Sequence, residues 1–117
     1  MNLNLENVSY DGRWFEFDDV RLKIRPYPAS KMSFMIKDGN AIIAGEYGLE
    51  KFMYCLMAWE WLDAEKKAAE LTKEVKQKIY DFRLGKATID GEEISLSDFV
   101  TNKADELFIE ASANQKN

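Results

Sequence analysis

The chain has 117 residues, no histidine and one cysteine, with 21 acidic against 16 basic side chains and a net charge of −5. That length suits one domain, able to bury about two-thirds of its unfolded surface without a crosslink. The composition excludes a histidine general base, a histidine metal ligand, an intramolecular disulfide and a multi-cysteine zinc site.

Residues 1–47 read as β. Val8 to Tyr10, Asp11-Gly12 and Arg13 to Phe17 have the pattern of a hairpin, because both central positions of an Asp-Gly turn tolerate positive φ. Val20, Leu22 and Ile24 alternate with Arg21, Lys23 and Arg25, which predicts a strand with one buried and one basic face. That basic face is either solvated or meets an acidic partner. Pro26 and Pro28 end the strand. A second hairpin is expected from Ser33 to Ile36 and from Ala41 to Ala44, turning on Asp38-Gly39.

Residues 48–111 read as mainly helical. The run Phe52 to Leu62, FMYCLMAWEWL, is apolar almost all round and is broken only by Glu60. It predicts a first helix over Leu49 to Leu62, extending through the tract AEKKAAE. On a helix Trp59 and Trp61 stand about 200° apart, so one faces the core and the other a second layer or a partner. Leu71, Val75, Ile79 and Phe82 form one helical stripe, which predicts a second helix over Lys73 to Arg83 with Thr72 as N-cap. Lys73, Lys76 and Lys78 fall off that stripe and are expected in water. Asp90-Gly91 marks a small hairpin or a loop between Ala87–Ile89 and Glu92–Ile94. A third helix starts near Ser95 or Ser97, where Ser95 and Asp98 are spaced as a capping box. Its stripe is Leu96, Phe99, Val100, Ala104, Leu107, Phe108 and Ala111. Residues 112–117 have nothing to bury and are expected to fray.

The fold class expected is therefore α+β in a single domain, residues 1–117, with N-terminal antiparallel β-hairpins packed against a C-terminal three-helix bundle. No pair of carboxylates, phosphate loop or metal-ligand spacing emerges, so no catalytic, cofactor-binding or metal residue is assigned. The N-terminus lacks a basic region followed by an apolar one, and no apolar run approaches the ~20 residues of a spanning helix. Neither a membrane nor a nucleic acid is expected as a partner, since the latter wants a basic face. Lone Cys55 fits a reducing cytosol. The expectation is a protein that works by contact, not catalysis.

One ordered set of motifs carries further. R-L-K-I-R-P-Y-P-A-S spans Arg21 to Ser30 and K-D-G spans Lys37 to Gly39. F-M-Y-C-L-M-A-W-E-W-L-D spans Phe52 to Asp63, and L-T-K-E-V-K-Q-K-I-Y-D-F spans Leu71 to Phe82. L-S-D-F-V and A-D-E-L come next, between Leu96 and Leu107. This order, over most of residues 13–111, resembles the small tail assembly chaperones of long-tailed bacteriophages and prophages, encoded beside the tape-measure gene. The resemblance implies binding to the tape-measure protein in the host bacterial cytoplasm, keeping it soluble while tail-tube subunits assemble. It supplies no catalytic residue. Its matching positions are Trp59, Asp63, Thr72, Lys76, Asp98 and Phe99. The chain departs from the family pattern in having Trp61 in place of a glycine, AEKKAAE in place of a short acid-glycine turn, and GKATIDGEEI as an insertion.

A chaperone of this kind needs an apolar groove or helix face rimmed by charge. The residues expected to meet the partner are Trp59, Trp61, Phe99, Leu107 and Phe108, with Arg21, Lys23 and Arg25 from the basic strand face. The alternative is another small phage protein acting by contact, either a virion structural subunit or an acidic inhibitor of a host protein. The sequence leaves a homo-oligomer open.

Overall fold

A computed structural model describes residues 3–6, 8–32, 36–37, 40–41, 44–63, 65 and 69–113. The alternating apolar residues near the start form the centre of a sheet. Strand β1 (Arg13–Phe17) pairs antiparallel with β2 (Val20–Ile24), Phe17 lying opposite Val20. The turn is therefore Asp18-Asp19, with Asp18 in the left-handed region at φ 52°.

The expected turn at Asp11-Gly12 makes no hairpin, and Val8 to Tyr10 is not a strand. Gly12 serves a different purpose. It sits at φ 74°, and a Cβ there would collide with the Ile24 carbonyl oxygen. Only glycine lets the incoming chain cross the end of β2 so closely. The second expected hairpin is present where it is described, as β3 (Ile36–Lys37) paired with β4 (Asn40–Ala41). Its turn, Asp38-Gly39, and its flanks at 33–35 and 42–43 lie outside the described residues.

The largest correction concerns the apolar run. A short helix α1 (Ala29–Met32) precedes helix α2 (Ala44–Cys55), which passes directly into strand β5 (Leu56–Trp61). The expected helix to Leu62 stops at Cys55. Within AEKKAAE, Glu65, Ala69 and Glu70 are not helical, and 64 and 66–68 lie outside the described residues. Strand β5 adds antiparallel to β2, giving the order β1-β2-β5 with the alternating strand in the middle. On a strand, residues two apart share a face. Trp59 and Trp61 therefore point the same way, their ring centroids 6.4 Å apart.

The remaining elements match the sequence more closely. Helix α3 (Lys73–Phe82) starts at Thr72, whose hydroxyl accepts the Val75 amide at 3.1 Å. Strands β6 (Lys86–Ile89) and β7 (Glu92–Ser95) form a hairpin on Asp90-Gly91, with φ 52° and 82°. Both central residues have the positive φ that a two-residue turn of this kind requires. Helix α4 (Leu96–Ala113) begins at Ser95, whose hydroxyl accepts the Asp98 amide at 3.2 Å. The expected frayed tail is still helical at Ser112–Ala113, and 114–117 lie outside the described residues.

The architecture is mixed α+β with antiparallel hairpins in the N-terminal half, as expected. The C-terminal half, however, also contributes three strands, β5, β6 and β7. One face of the β1-β2-β5 sheet is covered by α4: Phe17 packs on Phe99 with centroids 4.9 Å apart, and Leu22, Ile24 and Val100 are wholly buried. Phe52 of α2 meets Tyr80 of α3 at 5.9 Å. The stripe on α4 is buried at Leu96, Phe99, Val100, Ala104 and Leu107. The stripe on α3 ends early, because Phe82 is 75% exposed.

Leu22→Ala should therefore cost roughly 2–5 kcal/mol of stability in urea unfolding, the usual range for a buried leucine. Phe82→Ala, although it belongs to an apolar stripe by sequence, should stay within about 0.5 kcal/mol.

Candidate protein-binding groove

Residues 3–6 and 8–12 form no regular element and hold their path by local bonds. The Glu6 amide donates to Asn4 Oδ1 at 3.1 Å, Val8 N to the Leu5 carbonyl at 3.2 Å, and Asp11 N to Ser9 Oγ at 3.1 Å. Two prolines after β2 turn the chain away from the sheet, with Tyr27 between them buried and its hydroxyl donating to Glu50 Oε1 at 3.1 Å. Arg13 pairs with Glu110 at 3.1 Å and ties the start of β1 to the last turns of α4.

These pieces enclose a groove of about 330 Å³. Leu3, Leu5, Val8 and Tyr10 form one wall, and Pro26, Pro28 and Ala29 another. Phe108, Ala111 and Ser112 of α4 close it. Among the described residues no charged side chain lines it, and the one ionisable group is the Tyr10 phenol. Leu3, Leu5 and Tyr10 are 68%, 67% and 72% exposed, too open for core residues. A concave surface of this size with apolar walls suits an apolar ligand.

The residues expected to meet a partner are dispersed. Phe108 lines the groove. Leu107 and Phe99 are buried in the core. Trp59 and Trp61 are half-buried against that core, on one face of β5 and not on opposite sides of a helix. Trp59 Nε1 donates to the Ala69 carbonyl at 2.9 Å, while Trp61 Nε1 is enclosed with no acceptor among the described residues. Arg21 bonds Glu60 across the β2–β5 pair at 2.6 Å, and its guanidinium lies 5.0 Å from the Trp14 ring. Lys23 stands opposite Trp14 and Ala58 on the same outer face.

Arg25 has left that basic face. A register shift puts Lys23 opposite Ala58 but Ile24 opposite Leu56, a bulge that re-aims the next side chain. Arg25 lies 3.6 Å from the Tyr54 ring at the end of α2, and its Nε donates to the Tyr54 carbonyl at 2.8 Å. Among the positions the resemblance singled out, Thr72 caps α3, Asp63 accepts the Glu65 amide at 3.0 Å, and Asp98 faces Arg83 at 3.6 Å. Lys76 was expected in water. It is half-buried instead, and its ammonium donates to the Met53 and Leu56 carbonyls.

The groove itself was not anticipated. Its one advance signal is the alternation of Leu3 and Leu5 with asparagines in MNLNLEN, a period of two with no adjacent strand to use it. Among the described residues, no cluster of acidic or cysteine side chains can hold a metal ion, and no helix is long and apolar enough to cross a membrane. No protein-family model, curated protein or solved structure matches the chain.

Cys55 is buried, and burial pushes its thiol from the ordinary value near 9 up to about 12. The thiolate is the reactive form, so the folded chain presents no nucleophile there. At pH 8 an aromatic disulfide reagent should label it at least roughly 100-fold more slowly than in urea, since access requires unfolding. The folded state also keeps its proton where the unfolded thiol ionises. Cys55 therefore stabilises the fold fully below pH 9, and that contribution is lost as the pH rises toward 12. Cys55→Ala should flatten the decline in stability over that window.

Proposed function

We propose that this chain is a non-enzymatic assembly factor of a long-tailed phage or prophage, a tail assembly chaperone acting in the host bacterial cytoplasm. It binds the tape-measure protein and keeps it soluble while tail-tube subunits gather around it. The observation that carries the reading is the open apolar groove between residues 3–10 and the end of α4. A tape-measure protein is long and helical and prone to aggregate before it is sheathed. An amphipathic helix lays its apolar face into such a groove. The ordered motifs from Arg21 to Leu107 point to the same family of functions. The net charge of −5 keeps the chaperone soluble while that surface waits for its partner.

Co-expression tests the reading. Fragments of the tape-measure protein encoded beside this chain should move from the insoluble to the soluble fraction when the chain is present. Leu5→Asp with Tyr10→Asp should cut that gain by about tenfold, the loss expected when two apolar anchors become charged, without shifting the melting temperature. Solubility that is unaltered by the chain, or by the double variant, contradicts the reading. Stoichiometric amounts of the chain in purified virions would instead make it a structural subunit.

A further inference from the structure

A second concavity, of about 390 Å³, has the opposite chemistry. Four cations from separate parts of the chain border it: Arg25 just after β2, Lys31 of α1, and Lys73 and Lys76 of α3. Glu50 is its one carboxylate, and that group accepts the Tyr27 hydroxyl. Among the described residues none of the four cations pairs with a carboxylate. Arg13, Arg21, Lys51, Arg83 and Lys103, by contrast, each do. A chain with net charge −5 thus gathers unneutralised positive charge in one place.

Three of the four side chains there are held by contacts, Lys73 being the exposed one. The Arg25 guanidinium lies on the Tyr54 ring with Nε bonded to a carbonyl, leaving its two terminal nitrogens without a partner among the described residues. That free fork matches two oxygens of an oxyanion. Lys31 Nζ stands 4.7 Å from the centre of the same Tyr54 ring. The Lys76 ammonium spends two donors on the Met53 and Leu56 carbonyls and keeps a third. Burial first, and the nearby Arg25 charge second, hold its protonation below the ordinary lysine range. Arg25 and Lys76 therefore repel one another, and a bound anion relieves that cost.

We propose that this depression binds a compact, multiply charged oxyanion of the phosphate class. An extended polyanion is disfavoured by the net negative charge of the rest of the surface, whereas a single phosphate or pyrophosphate group suits one depression bordered by four cations. The site is separate from the apolar groove and stands whether or not a tape-measure protein binds there.

The test is calorimetric and NMR titration of the full chain with inorganic pyrophosphate at low ionic strength, with glutarate as a dicarboxylate control. Saturable one-site binding with Kd below about 1 mM is expected, with shifts confined to Arg25, Lys31, Tyr54, Lys73 and Lys76. Lys31 and Lys73 donate no side-chain hydrogen bond among the described residues, so Lys31→Ala with Lys73→Ala should fold normally and weaken pyrophosphate by about tenfold or more. Lys23→Ala, which removes a charge on the outer sheet face, should leave binding unchanged. No saturation by roughly 10 mM, an affinity the double variant does not alter, or glutarate binding as tightly as pyrophosphate would each overturn the assignment.

Discussion

Four consecutive carbonyls, Met53 to Leu56, hold this structure together. A helix leaves its last carbonyls without intrahelical partners, and here the chain has no loop in which to hide them, because α2 becomes β5 between Cys55 and Leu56. Two residues from elsewhere answer all four, three through charged side chains and one through a backbone amide. The Lys76 ammonium takes Met53 and Leu56, Arg25 Nε takes Tyr54, and the Arg25 amide takes Cys55 at 3.0 Å. Hydrogen bonds from charged donors are worth about 1.5–3 kcal/mol each, and a cation at a helix C-terminus adds further attraction to the helix dipole. No basic residue of α2 itself stands in its last turn.

The architecture depends on that junction. It delivers Leu56 to Trp61 to the free edge of β2, which buries Leu22 and Ile24 at the centre of a three-stranded sheet. It draws α3, through Lys76, and the end of β2, through Arg25, to one point. The same convergence crowds positive charge beside Lys31 and Lys73, so the cationic depression is a direct consequence of how the helix end is satisfied. The apolar groove arises differently, from the N-terminal residues laid beside two prolines and the last turns of α4.

Local chemistry was legible in the sequence wherever it decided the outcome alone. Asp90-Gly91 made its hairpin, Thr72 and Ser95 capped their helices, and the alternation at Val20, Leu22 and Ile24 marked the central strand. Phe52 to Leu62 was not legible, because an apolar run without a period does not distinguish helix from strand. Its aromatic second half paired with β2, and that non-local contact set the boundary at Cys55. Asp11-Gly12 is a stronger turn signal than Asp18-Asp19, yet Gly12 is there for its close approach to Ile24. Lys76 misled for a third reason. Its Cα lies off the apolar stripe of α3, but its long stem carries the charge inward to a neighbouring helix end. Both candidate sites depend on such long-range meetings, Phe108 with Leu5 in one and Arg25 with Lys76 in the other.

Replacing the Lys76 ammonium by an isosteric apolar group tests this account most directly. Lys76→Met keeps the stem and removes the donors, leaving the Met53 and Leu56 carbonyls without their charged partner. Urea unfolding should show a loss of about 2 kcal/mol or more, within the range for unsatisfied buried polar groups, and amide exchange across Met57 to Trp61 should accelerate ahead of α4. Unchanged stability, with β5 as well protected as before, would contradict the claim that the clamp on this junction holds the fold.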